Sequence, residues 1–185
     1  ILISARLGHY VADATVPLHT TKYYNGKTPS QRGIHAFWET RIPELLSDRF
    51  NYMVGNAVYV DNPQYIAWEL VKSTHFQVDT LYNIYQNLID SFAPDEIYVY
   101  DDRGLTTTKT YSREFTEIFE KMSNKMVERN MQTAVFYVAS FWYTAWVNAG
   151  QPDLDKLIEK DITKQMKKEK RRIDKMYRDG SIDDE

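Results

Sequence analysis

Apolar residues recur at helical spacing from Phe115 through Ile118, Phe119, Met122, Met126, Ala134 and Val135 to Val138, Phe141, Trp142, Ala145 and Trp146. Such a stripe is buried only if the segment is an α-helix. Ser112 with Glu114 in the first turn marks its start, and Gly150 followed by Pro152 marks its end. One long helix over 112–150 is therefore expected. A second stripe runs from Ala67, Leu70 and Val71 to Val78, Leu81, Tyr85, Leu88 and Phe92, opened by Asn62-Pro63 and closed by Ala93-Pro94. It predicts another long helix. Shorter helical patterns cover 2–14 and 33–47, with Pro43 a break or kink in the latter. Glu96–Tyr100 and Thr106–Tyr111 flank Asp101-Asp-Arg-Gly104, the pattern of a β-hairpin with Asp101 and Asp102 in its turn. The expected fold is mainly α, with one small β-hairpin near 96–111.

A chain of 185 residues with 43% hydrophobic side chains can bury one good core. No run approaches the roughly 18 uninterrupted apolar residues of a membrane span. A net charge of −3 favours no class of partner, and the absence of Cys limits any metal site to nitrogen and oxygen ligands. Beyond Leu154 the character changes. Lys160–Arg178 holds nine Lys/Arg against three Asp/Glu, the composition of a solvated helix or of a contact with anionic lipid or nucleic acid. Gly180–Glu185 is acidic and expected to be disordered. The division expected is 1–153 as the folded domain and 154–185 as a charged helical tail.

The chemistry is concentrated between Gly8 and Glu39. His9 and Asp13 are four residues apart, as are His35 and Glu39, so each pair lies on one face of a helix. His19 follows Pro17, where a rigid turn could aim it. Imidazole with carboxylate and no sulfur suits zinc, with manganese or iron compatible with the same ligand types. His75 stands apart, in a helix beside Phe76, and reads as a packing residue.

His9-Tyr10-x-x-Asp13, Pro17-Leu18-His19 and His35-x-x-x-Glu39 together resemble the signature of the zinc-dependent phospholipase C and S1/P1 nuclease family. The likeness is specific over about residues 7–46. It extends more weakly to Phe141–Gly150, which looks like the final helix of bacterial members. The resemblance implies a helical bundle that hydrolyses phosphodiesters at three zinc ions, with a metal-bound hydroxide attacking phosphorus. His9 and Asp13 would serve the paired metals, Asp13 bridging them as the catalytic carboxylate. His19, His35 and Glu39 would hold the remaining zinc. Asn25, Tyr23 and Tyr24 would contact substrate, the tyrosines by stacking if the substrate is a base.

The family's paired site also takes an N-terminal Trp and upstream His, Asp and His, none of which occurs here. The chain thus looks like the C-terminal portion of a family member that lacks its N-terminal helices, able to hold one zinc well and weak or inactive as a catalyst. Its substrate would be a phospholipid head group or single-stranded nucleic acid, and its location, by resemblance, secreted or in the periplasm or cell envelope. Ile3 and Leu7 are expected to lie bare on the first helix, a surface for self-association. Two other readings compete: a non-catalytic helical binding or scaffold domain, and a helical protein whose histidine pairs are structural.

Overall fold

The computed structural model describes residues 2–104, 106–158, and positions 167, 168, 171, 172 and 175. The remainder of the basic tail and the acidic end lie outside the described residues. The chain is mainly helical. It runs through α1 (Leu2–Asp13), a 3₁₀ turn (Pro17–Thr20), a second 3₁₀ turn (Pro29–Gln31) and α2 (Ile34–Ala36). A π turn (Phe37–Arg41) joins α2 to α3 (Ile42–Leu46), and a third 3₁₀ turn (Ser47–Arg49) follows. Then come α4 (Pro63–His75), α5 (Val78–Ser91), α6 (Pro94–Ile97), β1 (Tyr98–Arg103), β2 (Thr106–Tyr111), α7 (Arg113–Met122), α8 (Met126–Asn148) and α9 (Asp155–Ile158). β1 and β2 pair antiparallel, Tyr98 opposite Tyr111 and Arg103 opposite Thr106.

Both long stripes are broken. The first splits at Phe76-Gln77 into α4 and α5. Leu70 of α4 packs with Val11, Val60 and Phe141, whereas Val78, Leu81, Tyr85 and Leu88 of α5 enter a separate, larger core. The second stripe breaks at Ser123–Lys125, where Asn124 and Lys125 adopt left-handed backbone (φ 54° and 56°). Glu120 makes the break workable. Its buried carboxylate accepts the Glu128 N–H at 3.0 Å and the Val127 N–H at 3.4 Å, satisfying donors that the start of α8 leaves open. Burial raises the Glu120 carboxyl above its ordinary range, although those two backbone N–H groups act to lower it.

The larger core is aromatic and centres on Phe37, which is fully buried. Rings of Tyr85, Tyr111, Phe115 and Phe119 surround it at centroid distances of 4.6–5.7 Å. The smaller core joins α1 to α8. Gly8 lets the two approach, since a Cβ there would lie 3.0 Å from the Trp142 ring, and the Trp142 indole N–H donates to the Ser4 carbonyl at 2.8 Å. The expectation for the first helix divides accordingly. Ile3 is exposed, but Leu7 packs on the smaller core.

An extended strap, 51–60, lies along α8 without forming a sheet. Its N–H groups are received by side chains of the helix: Asn51 by Glu128 (3.0 Å), Val58 by Ser140 (3.1 Å) and Val60 by Thr144 (2.8 Å). Gln132 donates back to the Asn51 carbonyl, and the Tyr59 hydroxyl reaches Asn148. Positions 128, 132, 140, 144 and 148 are spaced by four or eight residues, so the strap follows a row that winds slowly around α8.

The hairpin also differs from expectation. Asp101 and Asp102 belong to β1 rather than to the turn, which falls at Gly104. Asp101 Oδ2 receives Arg41 Nη1 at 2.9 Å, and Arg41 Nε donates to the Tyr111 carbonyl at 2.8 Å. Arg41 is buried, so the hairpin pairs a charge that would otherwise be costly. Replacing Arg41 by Leu removes that charge together with its cost. Asp101→Ala removes one of its two carboxylate partners, leaving Glu44 at 3.2 Å, and should destabilise by about 1 kcal/mol in urea denaturation.

Candidate metal centre

Three elements bring the ligand set together. His19 sits in the 3₁₀ turn that begins at Pro17, whose fixed φ starts the turn after extended Val16. His35 lies in the short helix α2. Its entry is fixed by Gly33, with φ of 97°, whose N–H donates to Asn25 Oδ1 at 2.9 Å. Glu39 lies in the π turn, where the Ile42 N–H reaches back five residues to the Phe37 carbonyl. Pro43 accounts for that turn. It has no N–H to give the Glu39 carbonyl, so the α-helical ladder cannot continue unchanged. The sequence break expected at Pro43 is this widening, and the rod continues through it.

The three side chains converge through four atoms, the two Glu39 oxygens each facing one imidazole. His19 Nε2 lies 3.1 Å from His35 Nε2, His19 Nε2 lies 3.1 Å from Glu39 Oε1, and His35 Nε2 lies 3.1 Å from Glu39 Oε2. All three are partly exposed. Burial alone would raise the Glu39 carboxyl. The hydrogen bonds and positive potential of His19, and then of His35, outweigh it and hold the group below its ordinary range. Among the described residues, His19, His35 and Glu39 form the group of ligating side chains close enough to hold one metal ion.

His9 and Asp13 stand beside that group rather than in it. Asp13 Oδ2 lies 3.2 Å from His9 Nε2, and Asp13 Oδ1 lies 3.6 Å from His19 Nδ1. The latter distance exceeds a direct hydrogen bond. Nδ1 of His19 thus faces the Asp13 carboxylate, while Nε2 faces the cluster. Asn25 holds the start of the ligand helix. The Tyr24 ring meets the His35 ring edge-on at 5.5 Å, and Tyr23 is exposed beside it. A cavity of about 430 Å³ lined by Leu18, His19, Thr21, Tyr24 and His35 opens at the cluster.

His75 is not apart from this site. Its Nδ1 lies 3.0 Å from Thr20 Oγ1, next to His19. Thr20 donates its single hydroxyl proton to the Pro17 carbonyl at 2.7 Å, so it accepts from His75 Nδ1–H. The contact ties the end of α4 to the turn that carries His19. Fifty-five residues separate the two, and no spacing rule pairs them. Thr20→Val should loosen that turn and weaken zinc binding roughly tenfold in a chelator competition titration, with the helical circular dichroism unchanged.

Comparison with protein-family models, curated proteins and solved structures finds no match to this chain. What the site can do follows from its own atoms. Two ligands each about 2.0–2.1 Å from a tetrahedral zinc stand about 3.4 Å apart, so the 3.1 Å separations need only a slight opening to receive the ion. Two imidazole nitrogens and a carboxylate match a zinc site that keeps a fourth position open. Manganese or iron would accept the same donors.

Proposed function

We propose that this chain carries the single-zinc ligand set of a phosphodiester hydrolase of the phospholipase C and S1/P1 nuclease type. The observation that carries the reading is the convergence of His19, His35 and Glu39 at separations of 3.1 Å, with both histidines lining a cavity. When bound, zinc would supply Lewis acidity toward a phosphate oxygen and lower the pKa of its water. The chain's own contribution is to orient the imidazoles, through Asp13 behind His19 and through Asn25 at the start of the ligand helix. Tyr24 walls the cavity beside His35.

His9 and Asp13 offer only two ligands toward further metals, so hydrolysis by this chain is expected to be slow. The test is a zinc titration followed by an assay on bis(p-nitrophenyl) phosphate. One tight zinc per chain with slow, zinc-dependent hydrolysis is the expected result. Negligible zinc binding, equal in wild type and His19→Ala, would overturn the metal reading. Three tight sites would overturn the one-site reading.

A further inference from the structure

We propose that the loop between His19 and His35 forms a second anion subsite, one that takes a phosphate group neighbouring the phosphate at the metal centre. The inference rests on the zinc hydrolase reading for its catalytic consequence, but not for the existence of the subsite. A cleft of about 300 Å³ lies beside the metal cavity, walled by Lys22, Tyr23, Tyr24, Asn25, Thr28 and Arg32. It has two cationic side chains and no carboxylate in its lining, in a chain whose net charge is −3. Tyr24 lines both this cleft and the metal cavity, so one ring separates them. Arg32 and Lys22 differ in what they offer: a planar fork suited to two phosphate oxygens, and a point charge.

The cleft is built rather than incidental. Gly26 has φ of 111°, and a Cβ there would lie 2.6 Å from the Gln31 carbonyl, so the loop closes tightly on itself. Gln31 is buried. Its Oε1 accepts the Lys27 N–H at 2.9 Å, and its amide donates to Gln86 of α5 at 3.2 Å. Tyr82 of α5 donates its hydroxyl to the Tyr23 carbonyl, and Lys27 is drawn away to Asp79 at 2.7 Å. Lys22 rests over the Tyr23 ring at 4.9 Å. A loop pinned in this way presents Lys22 and Arg32 without the ordering cost a free loop would incur. The chemistry selected is therefore a substrate bearing two phosphates in succession, in preference to an isolated diester.

Two measurements decide it. Inorganic phosphate is titrated into the metal-free chain while backbone amide shifts are followed by NMR. Shifts across Tyr23–Arg32 that vanish in Lys22→Ala/Arg32→Ala are expected. Absence of shifts there, or an unchanged response in the double variant, would overturn the subsite. The zinc-loaded chain is then assayed on thymidine 5′-(p-nitrophenyl phosphate) with and without a 3′-phosphate. The phosphorylated form should be preferred on the order of tenfold in kcat/KM, and the double variant should lose that preference while binding zinc as wild type does. No preference in wild type would overturn the proposed link to catalysis. Hydrolysis of neither substrate would instead count against the zinc hydrolase reading, and the phosphate titration would still decide the subsite.

Discussion

Replacing His19 by Ala should weaken zinc binding by roughly 100-fold or more. A zinc ion in a full set of four protein ligands is held by about 10–16 kcal/mol, so each ligand accounts for about 3 kcal/mol. Here the loss is concentrated, because His19 Nε2 is within 3.1 Å of both other members of the set. Its removal leaves two donors on one short stretch of helix. Competition with a chromogenic chelator measures the affinity directly. Thermal unfolding gives a second readout. Zinc at 100 times its Kd stabilises the native state by about 2.7 kcal/mol, and that gain should vanish in the variant at the same zinc concentration. His9→Ala should change this site far less, since His9 reaches it only through Asp13. Equal affinities in wild type and His19→Ala would show that the cluster is not the metal site.

Phe37→Ala is expected to cost about 3–5 kcal/mol in urea denaturation, the largest loss from any single truncation considered for this chain. The ring is fully buried and is enclosed by rings from α5, β2 and α7, so its removal leaves a cavity that four rigid aromatics cannot fill. Against a typical total of about 5–15 kcal/mol, that loss leaves little margin. The position matters for function too. Phe37 lies between His35 and Glu39 and anchors the π turn that presents them. The variant should therefore bind zinc more weakly under conditions where it remains folded. A full-strength site in Phe37→Ala would mean that the ligand helix is held by something other than this core.

The clustering of His19, His35 and Glu39 was legible because the three are close in sequence. His35 and Glu39 share one turn, and Pro17 and Asn25-Gly26 mark the bends that bring His19 to them. Helix, hairpin and core were legible in kind from periodicity. The breaks at Phe76-Gln77 and Ser123–Lys125 were not. A stripe of threes and fours is the same whether it feeds one core or two, and only packing distinguishes α4 on the smaller core from α5 on the larger. The Glu120 cap on α8 was hidden for a related reason: in sequence, Glu120 is simply a charged residue in an amphipathic helix. His75 with Thr20, Arg41 with Asp101 and the strap with α8 are pairings across 55 to 89 residues. Local rules carry no information about such distances.

The strap has a consequence for the order in which the protein is assembled. The metal ligands are complete by residue 39 and close on one another across 16 residues, a loop that costs little entropy to form. The side chains that receive the N–H groups of Asn51, Val58 and Val60 all lie on α8, and the bonds that seat the strap span 77 to 89 residues. Contacts of that separation are the slow ones in folding. As the chain leaves the ribosome, its ligand set is therefore in the open while the helix that locks the strap is still unmade. The candidate metal cluster is thus an early, local structure, and the seating of the strap on α8 comes last.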